Sequence, residues 1–325
     1  MDPNDLLLAR NSMCEILDKE RGGGLDALLR DEYWLEFLDE DEQLAVSSLF
    51  EAQGQKLSNE SGIDLLVRKK LEQDSKPVSV LFPSTATGCL EASGVMQGDR
   101  VLLDGIIFNA VRKQIVFPAI DGASRIKVFQ VQVDVGGLAF SNVGGIDGGV
   151  EIIRLQGEVL LRDCLELSVD WNFAEVSARR AIAHELLAMA EVMLEKASEH
   201  VTERKQFGRA LGAFQVVRNS LADVHVAIEG SRDMLRVAFQ EQDRIAAMVA
   251  KAQAGRAALL AARHCQQFCG AMGWTWEFGL HHYVRRTKFI DSVLGSSDSL
   301  TRMIGKELLA VGSAPTFSYY MKDNS

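Results

Sequence analysis

Glu203-Arg204-Lys205-Gln206-Phe207-Gly208-Arg209, followed by Phe214-Gln215 and Leu221-Ala222-Asp223, interrupts an otherwise helical C-terminal half. A planar guanidinium matches phosphate oxygens, an aromatic can cover a flat ring, and glycine admits close backbone approach. The stretch therefore reads either as a joint that meets a large anionic ligand or as a polar turn between two helices with its arginines in solvent. Before it, Ile182, Leu186, Met189, Met193 and Ala197 recur at helical spacing. After it, one stripe runs through Phe214, Val217, Leu221, Val224, Ile228, Leu235 and Phe239. A third stripe, through Met248, Ala252, Gly255, Leu259 and Ala262, is rich in small residues that let helices cross closely. Gly295-Ser296-Ser297 precedes a last helix near Leu300 to Leu309, so the spacing predicts four helices in a bundle.

Upstream, the period changes to that of strands. Val78-Ser79-Val80-Leu81-Phe82-Pro83, residues 100–103, 105–108, 114–118 and 127–133, and a pair at 150–153 and 157–161, are short and β-branched or aromatic. Without helices between them they predict a small antiparallel sandwich or barrel. Residues 1 to about 76 carry apolar residues at three- and four-residue steps, among them Leu6-Leu7-Leu8, Ile16-Leu17, Leu35, Leu38, Leu44 and Leu49. Gly22-Gly23-Gly24 has neither the preceding strand nor the Gly-Lys-Ser/Thr ending of a phosphate loop and reads as a linker. Gly144-Gly145-Ile146-Asp147-Gly148-Gly149 has the wrong spacing for a dinucleotide fingerprint.

The 325 residues carry a net charge of −10, which repels nucleic acid and leaves the local clusters Arg204/Lys205/Arg209 and Arg285/Arg286/Lys288 as places for a small phosphate-bearing ligand. No apolar run reads as long enough to span a bilayer, and the acidic start Met1-Asp2-Pro3-Asn4-Asp5 does not read as a signal peptide. Five scattered cysteines fit reduced thiols, so the cytoplasm is the expected compartment. His264, Cys265 and Cys269, with His281-His282 following, lack the knuckle of a zinc site. His184-Glu185 has Ala188 where a zinc-protease helix needs its second histidine. Glu175, Asp291 and Asp298 are carboxylates that could act as bases, against the plainer reading of each as a solvated loop or helix-end charge. Trp274, Trp276 and Met272 read as core.

Three blocks in this order resemble the acyl-CoA dehydrogenase family: Arg204 to Gly208 with Phe214-Gln215 and Leu221-Ala222-Asp223, then Gln267-Phe268-Cys269-Gly270-Ala271-Met272-Gly273-Trp274-Thr275-Trp276-Glu277, then Tyr283-Val284-Arg285-Arg286-Thr287-Lys288 ending at Leu294-Gly295-Ser296-Ser297. The resemblance covers residues 171–312 in motif and the N-terminal half only in architecture, in a chain shorter than the usual member. It implies an α+β fold with an N-terminal helical domain (1–76), a small antiparallel β domain (77–168) and a C-terminal four-helix bundle (169–325). It also implies that Arg204, Gln206, Phe207, Gly208, Gln215, Gln267, Gly270 and Ala271, the last in place of a second glycine, belong to an arm that crosses a subunit interface to the pyrophosphate and adenosine of FAD. Members of the family desaturate an acyl-CoA thioester, a carboxylate taking the α-proton while the β-hydrogen leaves as hydride.

The departures from the family pattern are as informative as the matches. The usual catalytic Glu position holds Leu294, and the alternative position near the start of the preceding helix falls at about Ala178, with Glu175 close by. Neither leucine nor alanine accepts a proton. Where the family has its Thr-Glu-Pro flavin loop, this chain has Phe82-Pro83-Ser84-Thr85-Ala86-Thr87-Gly88, and Ile107-Phe108-Asn109 replaces the strand that backs the flavin ring. The pattern resembles the base-less subunit of heteromeric α2β2 bacterial acyl-CoA dehydrogenases of steroid side-chain degradation. It implies a chain that shares FAD with a catalytic partner and has no catalytic residue of its own. A homomeric enzyme using Glu175 or Asp298 as a displaced base is a second reading, and a flavin-free CoA-thioester-binding or scaffold protein a third.

Overall fold

The computed structural model describes residues 3–19, 24–84, 91–143, 149–241 and 243–312. Gly22 and Gly23, the altered loop at 85–88 and the glycines within 144–148 lie outside the described residues. Five helices come first: α1 (Pro3–Asp18), α2 (Leu25–Asp31), α3 (Trp34–Glu40), α4 (Glu42–Lys56) and α5 (Ile63–Lys70). The apolar spacing through Leu35, Leu38, Leu44 and Leu49 divides between α3 and α4 because Asp41 caps α4, its carboxylate accepting from the Leu44 amide at 2.9 Å.

The strands are β1 (Val78–Val80), β2 (Phe82–Pro83), β3 (Gly94–Gln97), β4 (Arg100–Phe108), β5 (Gln114–Ile120), β6 (Ile126–Gln132), β7 (Leu138–Asn142), β8 (Ile152–Leu160) and β9 (Leu165–Leu167). They form one sheet in the order β7-β8-β4-β3-β5-β6-β9, with β1 beside β5 and β2 beside β4. The expectation of a purely antiparallel sandwich or barrel is corrected on this point: β5 pairs in parallel with β1 and β3. The two expected strands at 100–103 and 105–108 are one strand, as are those at 150–153 and 157–161. One face of the sheet has a core of its own, with Leu81, Ile107, Phe117 and Phe129. The other joins the helices, where Phe108 sits edge-on to Phe82 at 5.4 Å and against Phe289 of the bundle at 6.0 Å. Asn109, just past β4, ties the sheet to the first helices through its amide and the Ser61 backbone at 3.0 Å each way.

The C-terminal part holds three long helices, α6 (Trp171–Glu203), α7 (Gln215–Glu241) and α8 (Arg244–Cys269), then α9 (Leu280–Ser292) and α10 (Ser297–Val311). The bundle thus has three long members with α10 as a shorter fourth against α8, and α9 packs against both α6 and α8. Every residue of α6 from Ala174 to Ala190 is buried, as in a helix enclosed on all sides. Its charged groups are paired: Arg180 reaches Glu42 at 3.0 Å and His184 reaches Glu51 at 3.0 Å. The segment Arg244–Trp274 is long and apolar enough, by length and composition, to cross a membrane, which corrects the expectation of no such run; 67% of its apolar 18-residue window is buried inside the fold, as in the core helix of a bundle.

Arg244, the first residue of α8, lies 3.8 Å from Glu175 near the start of α6. At the far ends, Lys196 is near enough to Cys269 to oppose the burial that pushes that thiol up to about 11. Helices α6 and α8 are therefore parallel, and α7 returns between them. The bundle thus has two distinct ends, one at the starts of α6 and α8 and one at their finishes.

Candidate functional site

At the finish of α6, Arg204 is the helix C-cap and the chain turns at once into a two-stranded hairpin, β10 (Lys205–Gln206) and β11 (Arg209–Ala210). Lys205 pairs with Ala210 and Gln206 with Arg209, which leaves Phe207-Gly208 as a two-residue loop. Both residues have positive φ, 53° and 79°, as the twist of a type I′ hairpin requires. Glycine accepts this freely, whereas an L-aromatic in the left-handed region carries a strain of about 1–2 kcal/mol. Phe207 is nonetheless 85% exposed, and it meets the Phe214 ring edge-on with ring centroids 6.1 Å apart. A strained, exposed aromatic points to a ligand or partner rather than to folding. Phe207→Asn is expected to leave the isolated chain as stable or up to about 1 kcal/mol more stable, since asparagine tolerates this conformation. Thermal melts check this, and a drop of several degrees would make Phe207 a packing residue.

Around the loop, Arg209 lies over the Phe214 ring at 4.0 Å. Arg204, Lys205 and Gln206 are exposed, and among the described residues neither cation forms an ion pair. Gln215 is exposed at the first position of α7. The stretch read from sequence as a joint or a polar turn is thus a two-stranded hairpin with its cations exposed.

The second predicted group gathers at the finish of α8. One face of that helix carries Leu259, Ala262, Arg263, Gln266 and Gln267 into Gly270-Ala271, at the three- and four-residue steps that share a helix face. With Trp274 of the following 3-10 turn (Gly270–Trp274) and Val284 and Lys288 of α9, they line a crevice of about 650 Å³. Gln267, Gly270 and Ala271 are exposed in it. The structure brings these three together and sets the hairpin residues beside them at the same end of the bundle, not inside the crevice. Lys196 near the end of α6 donates to the Phe278 carbonyl at 3.3 Å, and His200 meets the Phe278 ring at 5.8 Å, so α6 braces both features.

Trp274, Trp276 and Met272 are not core: they are 66%, 74% and 48% exposed. The 3-10 turn lifts them away from the bundle that the helical period of α8 would have buried them in. The expected basic cluster also divides. Arg286 is buried and faces Glu185 and the Ser58 carbonyl, whereas Lys288 stands exposed at the crevice.

The positions expected from the resemblance to hold a base lie at the other end. Leu294 is 1% exposed, with φ of 53° in the turn between α9 and α10. Its carbonyl accepts from Arg179 Nε at 3.3 Å. Lys251, fully buried, donates to the carbonyls of Asp291 at 2.9 Å and of Gly295, and burial pulls its ammonium down to about 7. Asp291 accepts from the Ser297 amide at 3.1 Å, and a Cβ on Gly255 would stand 2.0 Å from its Oδ1. Ala178 is wholly buried. Glu175 meets both Arg179 amino groups at 2.9 Å and is 1% exposed, so its lone pairs are directed at a guanidinium rather than at a substrate. Arg244 adds Glu91 of the sheet region and Glu307 of α10 to this network. Asp291 is likewise engaged, and Asp298 is exposed in the first turn of α10.

Among the described residues no cluster of histidine, cysteine and carboxylate could hold a metal. His264 stacks on Phe268 at 6.1 Å, and burial pushes Cys265 up to about 12, so neither is presented as a ligand.

Residues 176–309 match the family model for the acyl-CoA dehydrogenase C-terminal domain. Over 166 residues the chain is 29% identical to the acyl-CoA dehydrogenase IpdE2 of Mycobacterium tuberculosis, covering 51% of this chain and 51% of that protein. The chain therefore spans about half the length of this curated relative. Its fold is similar to a variant of the Tcur3481-Tcur3483 steroid ACAD, with a TM-score of 0.73 and 21% identity over 95% of this chain and 98% of that one. It is similar as well to the ChsE4-ChsE5 complex from Mycobacterium tuberculosis, with a TM-score of 0.69 and 19% identity over 97% and 99% of the two chains. Helices, a sheet with mostly antiparallel pairs and a second set of helices together define the acyl-CoA dehydrogenase-like fold. The chain is thus similar to the acyl-CoA dehydrogenase family in its C-terminal domain and in its fold.

Proposed function

We propose that this chain is a subunit of a FAD-dependent acyl-CoA dehydrogenase that lacks a base of its own and completes the FAD site of a catalytic partner chain. The observation that carries the reading is the contrast between the two ends of the bundle. At one end Leu294 and Ala178 stand where the family has its carboxylate, and Glu175 is consumed by Arg179. At the other, Arg204, which forms no ion pair among the described residues, and the strained, exposed Phe207 offer a cation and a ring to something outside the chain. The groups fit the phosphate and adenosine end of the cofactor: a guanidinium for two phosphates, an aromatic for a flat ring, and a crevice with one buried amide, that of Gln266, that has no hydrogen-bond partner among the described residues. In this reading Arg204, Gln206, Phe207, Gly208, Gln215, Gln267, Gly270 and Ala271 contact the partner's FAD.

Bound flavin supplies the hydride acceptor for α,β-desaturation of an acyl-CoA thioester. What this chain contributes is orientation and charge neutralisation, while proton abstraction falls to the partner. Two of the similar structures carry paired names, Tcur3481-Tcur3483 and ChsE4-ChsE5, and the first is titled a steroid ACAD, which supports a partner of related fold and a steroid-derived substrate; the assembly proposed with it is α2β2, acting on a steroid side-chain thioester. The proposed division is 1–76, 77–168 and 169–325, and the proposed compartment is the cytoplasm.

Co-expression with a candidate catalytic chain, followed by flavin quantitation, tests the reading. The single chain is expected to purify with little flavin and no turnover, and the complex with both. Strong flavin colour and turnover from the pure single chain would overturn it.

A further inference from the structure

A second groove, of about 460 Å³, runs between α7 and α8 midway along both helices. Gly230 and Met234 of α7 and Arg256 and Leu260 of α8 line it, with Val226 beside them. Val226 is an apolar side chain left 69% exposed. One turn on, Gly230 is exposed in the middle of a 27-residue helix. Glycine weakens a helix interior relative to alanine, so its presence there needs a reason. At Gly54 and Gly255 the reason is packing, since a Cβ would stand 2.5 Å from the Glu185 carbonyl oxygen and 2.0 Å from Asp291 Oδ1. A Cβ on Gly230 would meet nothing within 4 Å. The gap at Gly230 therefore points to a group from outside the chain. Ser231, the buried hydroxyl of the groove, already donates to the Ala227 carbonyl at 2.7 Å, so it does not ask for a small polar ligand.

A protruding valine and an open glycine four residues apart on one helix complement each other across a two-fold axis. A second α7, turned antiparallel about an axis level with Ile228, seats Val226 of each copy over Gly230 of the other. Asp223 and Arg256 are both exposed, and among the described residues neither forms an ion pair. The same rotation brings the second copy's Asp223 to within about four residues of helix rise, or roughly 6 Å, of the level of Arg256, inside the reach of an arginine side chain. We propose that this groove is a contact between two copies of the chain, with Val226 and Gly230 exchanged across the two-fold axis and Asp223 paired with Arg256. The contact needs no cofactor, and the α2β2 assembly proposed above holds the two copies that it joins. A single pair of helices falls short of the roughly 1,200–2,000 Å² of a stable interface, so the chain alone is expected to self-associate weakly, in the range of about 1–100 µM.

Sedimentation of the purified full chain over that range of concentration tests the contact. A reversible dimer is expected. Gly230→Leu, which fills the gap with a better helix former, is expected to weaken the dimer by at least about tenfold while thermal melts hold or rise. Arg256→Asp is expected to weaken it as well, and adding Asp223→Arg to that variant to restore it. A chain that stays monomeric to about 100 µM, or a dimer that Gly230→Leu leaves intact, overturns the proposal. So does a charge-swapped pair that associates no better than Arg256→Asp alone. A monomeric chain whose complex with the catalytic chain is broken by Gly230→Leu would give the groove to that chain and remove the second copy from it. None of these outcomes involves flavin, whose content in the complex decides the proposed function separately.

Discussion

Arg204→Ala in the assembled complex is expected to loosen FAD by roughly 10- to 100-fold, the loss of about 1.5–3 kcal/mol carried by a charge-assisted hydrogen bond. Turnover should fall with the flavin content and recover in part when FAD is added in excess. The fold should not change, because Arg204 is exposed and its backbone amide, which closes the last turn of α6 on the His200 carbonyl at 2.9 Å, is present in any residue. Arg204→Lys is expected to recover only part of the affinity, since an ammonium cannot bind a phosphate in two-pronged fashion. The measurement is fluorescence of released flavin on dilution. An affinity unchanged by the alanine substitution would mean that the hairpin does not reach the cofactor, and the proposed role would fall.

Glu175→Ala is expected to have the largest effect on stability, about 3–5 kcal/mol, because it strands Arg179 in the interior without its carboxylate. Arg179 is wholly buried and would keep only the Leu294 carbonyl at 3.3 Å among its named partners. Chemical denaturation of the isolated chain reads this directly. The same substitution separates two roles for Glu175. As a base it could be removed with the chain still stably folded and only turnover lost; as an anchor it takes the fold with it. A stable, inactive Glu175→Ala complex would favour the homomeric reading with a displaced base.

Much of the helical architecture was legible from sequence because its stripes are long. Ile182, Leu186, Met189, Met193 and Ala197 are all buried, as their spacing predicts. The sheet was less legible. Strand β7 (Leu138–Asn142) has four of its five residues exposed, so it lacks the alternation that marks a half-buried strand. Strands β3 and β9 are only four and three residues long, too short for any period. The parallel pairing of β5 with β1 and β3 is a long-range choice that no local pattern encodes. At the site, residue types raised an anion-binding face beside the reading of a plain polar turn, but the turn at Phe207-Gly208 lacks the Asn-Gly or Asp-Gly that signals such a hairpin. Gln266 went unnoticed for a different reason. Its buried, unsatisfied amide exists only once α8 and the turn after it have folded together.

The unbroken length of α6 has a consequence for how any assembly must be counted. Arg179 touches the Leu294 turn and Arg204 closes the same helix 25 residues later, a separation of about 38 Å at 1.5 Å per residue. No ordinary thioester or dinucleotide contact spans both, so each molecule brings two halves that can never meet within it. On the proposed reading, complete pockets belong to the seams between molecules. One seam would receive this chain's hairpin and another its Leu294 turn, so damage to the two ends of a single molecule would be felt in two different rooms of the assembly.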